Sequence, residues 1–80
     1  MTVRVSLQGM LRSFLPPAAE GSFASLTFPA SHVTVGAVRE KLGLPADSWC
    51  LAFHEGEPVA DDHVLDDGDE VTFVAAVAGG

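Results

Sequence analysis

Gly79 and Gly80 close the sequence and carry its most specific chemical group, a carboxylate borne on two residues without side chains. They follow the apolar run Val71-Thr72-Phe73-Val74-Ala75-Ala76-Val77-Ala78, itself preceded by Asp67-Gly68-Asp69-Glu70. The order is acidic turn, strand, then bare backbone, which suits a domain that holds its last carboxylate out into solvent. Other candidates for chemistry are poorer. Cys50 and His54 are four apart and could be read as a thiolate and its base. Strand residues at that spacing lie about 13 Å apart, too far for a direct hydrogen bond. His32, His54 and His63 lack the spacing of a zinc site, and Cys50, the one cysteine, cannot supply a second soft ligand. Asp61, Asp62, Asp66, Asp67 and Asp69 lack the ligand order and closing bidentate glutamate of a calcium loop. No metal site is expected. The glycines other than the terminal pair are scattered singly, so there is no phosphate-cradling loop.

Composition narrows the function classes. Eighty residues with 48% apolar content make one small domain with enough material for a core. The net charge of −7 leaves four basic residues, Arg4, Arg12, Arg39 and Lys41, too few to neutralise phosphates. Neither a nucleic-acid partner nor a membrane is expected. No apolar run approaches the roughly 20 residues of a membrane span, and the opening residues lack the apolar core of a signal peptide. A lone cysteine fits a reducing compartment. A cytoplasmic location is the expectation.

The elements that would position the terminal carboxylate follow from periodicity. Residues 2–8 alternate, with Val3, Val5 and Leu7 on one face. Met10 to Leu15 suits a turn of helix folded back on the sheet, closed by Pro16-Pro17. Residues 22–28 alternate again, with Ala24, Leu26 and Phe28 together, which predicts an antiparallel hairpin with the first strand. Thr34 is the expected N-cap of a helix over Val35 to Leu42, ended by Gly43 and Pro45. Val35, Val38 and Leu42 form its apolar stripe, with Arg39, Glu40 and Lys41 largely off it. Gly36 should weaken this helix by up to ~1 kcal/mol relative to alanine. Trp49 to His54 is a third strand, placing Trp49, Leu51 and Phe53 on one face and Cys50, Ala52 and His54 on the other. Glu55-Gly56 is a tight turn and Glu57-Pro58-Val59 a short edge strand. Ala60 to Leu65 reads as a connector anchored by Val64 and Leu65. Asp66 to Asp69 is a turn, and Glu70 to Ala75 is the last strand, with Val71, Phe73 and Ala75 inward. The expected order is β-β-α-β-β-β, a two-layer α+β domain over residues 1–75, followed by a flexible tail over 76–80.

At this point the sequence resembles a known family. Val3-Arg4-Val5-Ser6-Leu7-Gln8-Gly9-Met10-Leu11-Arg12, Thr34-Val35-Gly36-Ala37-Val38 and Leu65-Asp66-Asp67-Gly68-Asp69-Glu70-Val71-Thr72-Phe73, ending in Val77-Ala78-Gly79-Gly80, are similar in that order to the sulfur carriers that include MoaD and ThiS. The resemblance implies a ubiquitin-like β-grasp: a mixed sheet of four to five strands on one main helix. It implies that the Gly80 carboxylate is adenylated by an enzyme resembling the ubiquitin-activating enzymes, using ATP and magnesium. A sulfur donor of the desulfurase or rhodanese type then converts the acyl-adenylate to a thiocarboxylate. No cofactor is held stably by the chain itself. The receiving partner would be the large subunit of a synthase, with molybdopterin the leading destination. A ThiS-like or other pathway, or a ubiquitin-like modifier of proteins, stays open.

The tail chemistry sets physical demands. Residues 76–80, if extended, reach roughly 17 Å. Gly79 and Gly80 add no side chain to obstruct a narrow channel, and Gly79, Ala78 and Val77 would line the approach. Docking of the globule is expected to use Val74 and Ala52 on the outward face of the sheet, with Phe23, Cys50 and Thr72 nearby.

Overall fold

In the computed structural model, which describes residues 1–16, 19–44 and 50–75, the first strand β1 (Thr2–Leu7) buries Val3, Val5 and Leu7 completely, as their alternation predicts. It pairs antiparallel with β2 (Phe23–Thr27), from Thr2 opposite Thr27 to Ser6 opposite Phe23. Ala24, Leu26 and Phe28 join the same core. Between these strands, Gly9–Phe14 forms a 3-10 helix that folds Leu11 fully into that core. Ser6 alternates away from Val5 and Leu7, yet it is buried; the Gln8 amide donates to its hydroxyl at 2.6 Å.

The helix has the expected bounds. In α1 (Val35–Leu42) the Thr34 hydroxyl accepts the Ala37 N–H at 3.2 Å. Gly43 takes a left-handed conformation, φ 75°, and returns its N–H to the carbonyls of Arg39 and Glu40. Val35 and Val38 are fully buried and Leu42 is half-buried. Arg39 departs from the expected polar face: it is only 5% exposed. Its guanidinium bonds Asp61 through Nε (3.0 Å) and Nη2 (2.9 Å), and the Cys50 carbonyl through Nη1 (2.9 Å). It also lies 5.3 Å from the centre of the Phe73 ring. A helical wheel misses this burial because the partners come from other parts of the chain.

Gly36 likewise has a purpose beyond helix propensity. Its N–H donates to the Asp61 carbonyl at 2.8 Å, and a β-carbon at this position would lie 3.2 Å from that oxygen. The missing side chain lets the segment around Asp61 close against the first turn of α1.

The second half of the sheet begins with β4 (Cys50–His54), joined to β5 (Glu57–Val59) through Glu55 (φ 55°) and Gly56 (φ 82°). Two positive φ values in a two-residue loop match the twist of a hairpin. The last strand, β7 (Glu70–Ala75), runs parallel to β1 on one side and antiparallel to β4 on the other. The main sheet therefore has five strands in the order β2-β1-β7-β4-β5, with Pro58 on an edge strand as expected.

Two short strands escaped the sequence reading. β3 (His32–Thr34) and β6 (Val64–Asp66) pair antiparallel with Val33 opposite Leu65, so the expected connector contains a strand. Three residues are too few for alternation to register. The acidic turn after β6 is held by backbone donors. Asp69 Oδ2 accepts the Asp66 N–H at 2.8 Å, and Asp67 Oδ1 accepts the Thr2 N–H at 2.7 Å. Among the described residues, no helix is long and apolar enough to cross a membrane.

Candidate functional site

The site is built around the end of β7. This strand lies in the middle of the sheet, with Ala75 opposite Cys50 of β4. Hydrogen bonding on both flanks fixes the place from which the chain continues toward Gly80. Val77, Ala78, Gly79 and Gly80, the expected tail and reactive terminus, lie outside the described residues.

Strand register defines the sheet face opposite α1. Phe23, Ser6, Thr72, Phe53 and Pro58 stand in one row across the five strands, and Leu51 stands beside Val74 in the next. Leu51 is 41% exposed and Phe23 36%, while Val74, Thr72 and Phe53 are half-buried. At one end of this face the Arg4 guanidinium stacks 4.4 Å from the centre of the Phe23 ring, with its Nε 3.7 Å from the Glu70 carboxylate. The result is an open face on which Leu51, Val74, Phe53 and Pro58 form an apolar patch beside Thr72 and Ser6, with an opposite-charge pair at the border.

This arrangement keeps Val74 on the open face and removes Ala52 from it. Ala52 is 2% exposed and sits opposite Phe73 and Val59. Register with Phe73, the largest fully buried side chain among the described residues, puts Ala52 into the core, and Cys50 goes with it. The expected alternation of β4 is present, but the faces are reversed. The small residues make room beneath the sheet, and the bulkier Leu51 and Phe53 face outward. Leu51 was therefore missed; the signal that could have found it is its pairing with Val74, which requires a register the sequence alone does not supply.

The competing chemistry is dispersed. The buried Cys50 thiol belongs to the core and its carbonyl to Arg39, which removes it as a nucleophile beside His54. His54 instead meets His63, with Nδ1 and Nε2 3.0 Å apart. Among the described residues, no group of three or more histidine, cysteine, aspartate or glutamate side chains could hold a metal ion.

Comparison with known proteins gives these features a context. SAMP1 from Haloferax volcanii, a solved crystal structure, covers 100% of both chains with a TM-score of 0.75 at 18% identity, which shows the shared fold. The molybdopterin synthase sulfur carrier subunit of Escherichia coli (strain K12) is 39% identical over 59 residues, 64% of this chain and 73% of that protein. The ThiS family matches residues 15–80, including the last strand and the terminal glycines. With a ubiquitin-like β-grasp sheet on one helix and a family match over most of its length, the chain belongs to the ThiS family.

Proposed function

We propose that this chain is a sulfur carrier whose working atom is the terminal carbon of Gly80, with molybdopterin synthesis as the destination of the sulfur. The 39% identity with the Escherichia coli molybdopterin synthase sulfur carrier subunit is the observation that carries this reading. A carboxylate is a poor electrophile, so activation comes first. The Gly80 carboxylate oxygen attacks the α-phosphorus of magnesium-bound ATP in an adenylating partner, and pyrophosphate leaves. Sulfide delivered by a donor enzyme then attacks the acyl carbon; a C–S bond forms, the C–O bond to AMP breaks, and a thiocarboxylate remains. In the synthase the thiocarboxylate sulfur forms a C–S bond to an electrophilic carbon of the precursor as that carbon's C–O bond breaks and the oxygen leaves with the bonding electron pair. Water then cleaves the acyl–sulfur bond and restores the carboxylate. The proposal brings a cytoplasmic setting with it, where ATP and reduced sulfur are at hand.

The same reading gives the open face of the sheet a purpose. A partner that grips Leu51, Val74 and Phe53 places the globule so that residues 76–80 can reach roughly 17 Å into its active site. An apolar patch with polar and charged residues around it is the usual composition of such a contact. Leu51→Asp is expected to weaken binding to the synthase large subunit about tenfold or more, while the unfolding midpoint stays near that of the parent. Calorimetric titration beside a melting curve checks both. Unchanged affinity would remove this face from the docking surface.

The central test is mass spectrometry of the intact chain after incubation with the cognate adenylating enzyme, ATP, magnesium and sulfide. The expected result is a gain equal to the difference between a sulfur and an oxygen atom, located on Gly80 by fragmentation. Transfer to the molybdopterin precursor in the presence of the synthase large subunit distinguishes this destination from a thiazole pathway. Absence of the mass gain with a competent enzyme defeats the carrier reading.

A further inference from the structure

The two edges of the main sheet are not alike. β5 is three residues long and carries Glu57 and Pro58, a charge and a proline that both discourage a further strand. β2, at the other edge, has five residues with neither. Its bonds to β1 decide which backbone groups face out. Met1 and Phe28 exchange N–H···O bonds of 2.8 Å each, and the Leu7 N–H donates to the Ser22 carbonyl at 2.9 Å. That role alternates along an antiparallel pair, so Ala24 and Leu26 also turn their backbone groups to β1, while Phe23, Ser25 and Thr27 turn theirs outward. Phe23 is already served, because it exchanges bonds of 2.9 and 3.0 Å with Glu20. Pro29, beyond the other end, has no N–H to offer. Between these two stops the exposed Ser25 and Thr27 present two donors and two acceptors that no group takes among the described residues.

We propose that the β2 edge pairs antiparallel with the β2 edge of a second copy of this chain. The open stretch is its own complement. With a two-fold axis at Leu26, Ser25 stands opposite Thr27 of the second copy, twice, and each such pair exchanges two backbone bonds, so every free group is satisfied. A slide of two residues in either direction sets Ser25 or Thr27 against Phe23, which is already bonded, or against Pro29. Charge favours the same register. Glu20 sits beside Phe23 at one end of β2, and Lys41 Nζ lies 5.3 Å from the Phe28 ring at the other. The two-fold axis exchanges the ends, so each Glu20 approaches the Lys41 end of the other copy. Residues 1–34 hold one acidic residue, Glu20, and the other ten of the eleven fall in residues 35–80, with Glu57 on the far edge. Meeting through β2 therefore keeps the most acidic parts of two domains of charge −7 apart. The two sheets join into one, with both helices on one side and both open faces on the other, where Leu51 and Val74 stay free.

A contact of one strand pair is small, so the association is weak and reversible, and sedimentation of the full chain between about 10 µM and about 1 mM should show the mass rising from 8.3 kDa toward twice that value. Hydrogen exchange at the Ser25 and Thr27 amides should slow as concentration rises, with the Phe23 amide unchanged. Ser25→Pro removes an outward donor from each copy, leaves the bonds to β1 whole, and should weaken pairing about tenfold or more. Thr27→Lys, which sets like charges diagonally across the join, is a second variant should the proline disturb β2. Glu20→Lys should weaken pairing, and Glu20→Lys combined with Lys41→Glu should restore it, which a loss of fold would not do. A chain that stays monomeric throughout, exchange that ignores concentration, or a dimer that survives both Ser25→Pro and Thr27→Lys overturns the pairing. Slowed exchange at Ser25 and Thr27 only on adding the synthase large subunit also overturns it, and gives the edge to that partner instead.

Discussion

Deletion of Gly80 is expected to abolish sulfur loading while leaving the unfolding transition unchanged. The shortened chain still ends in a glycine carboxylate, now that of Gly79, so the chemical group is retained and only its position changes. One residue of extended backbone is about 3.4 Å. Acyl transfer depends on near-contact placement of the reacting atoms, and a misplacement of about 1 Å can cost about a hundredfold in rate. A loss of about a thousandfold or more in the rate of thiocarboxylate formation is therefore expected, read by intact mass over a time course with the adenylating enzyme. The deletion compares two chains with the same docking face and the same terminal chemistry. A truncated chain that loads sulfur at the parental rate would remove Gly80 from the mechanism.

The second large effect concerns stability. Arg39→Ala is expected to destabilise the domain by about 2–4 kcal/mol, measured by denaturant unfolding. Its partner Asp61 is half in water, with 53% of its side chain exposed, so the ion pair alone contributes little. The larger loss lies at the buried end. The Cys50 carbonyl loses a charged donor at 2.9 Å, Phe73 loses the cation beside its ring, and the space held by a buried guanidinium becomes a void. Against the roughly 5–15 kcal/mol that stabilises a typical domain, such a change is severe. Arg39→Lys keeps the charge but not the planar fork that serves three acceptor contacts, so it should recover only part of the loss. A cost below about 1 kcal/mol for Arg39→Ala would show that the buried guanidinium is dispensable.

These two residues also mark how far the sequence alone is legible. Local signals read true: the alternation of Val3, Val5 and Leu7, the Thr34 cap, the Gly43 stop, and the bounds of α1 and β7 each depend on a few neighbouring residues. Features set by distant partners were hidden. Arg39 reads as a surface residue until the Cys50 carbonyl, Asp61 and Phe73 are brought around it. Ala52 reads as outward until Phe73 fixes its register. His54 and His63 belong to separate elements and gain their contact from the fold. Gly36 reads as a weak point until Asp61 approaches. Within the candidate site, the outward place of Val74 was legible from the alternation of the final strand, while the Gly79-Gly80 terminus lies outside the described residues. Leu51 needed the pairing of β4 with β7.

The position of β7 has a consequence for how such a protein is made. Of the described strands it is the last in the chain, yet it lies between β1 and β4, which do not pair with each other. Take it away and the five-stranded sheet separates into two hairpins, β1 with β2 and β4 with β5. A chain still under synthesis holds those hairpins without the strand that joins them, and non-local pairings of this kind are slow to form. The row that sets Leu51 beside Val74 comes into being only when that join is made. Emergence of the final strand from the ribosome is thus an assembly checkpoint: a partner that grips this face encounters a finished domain.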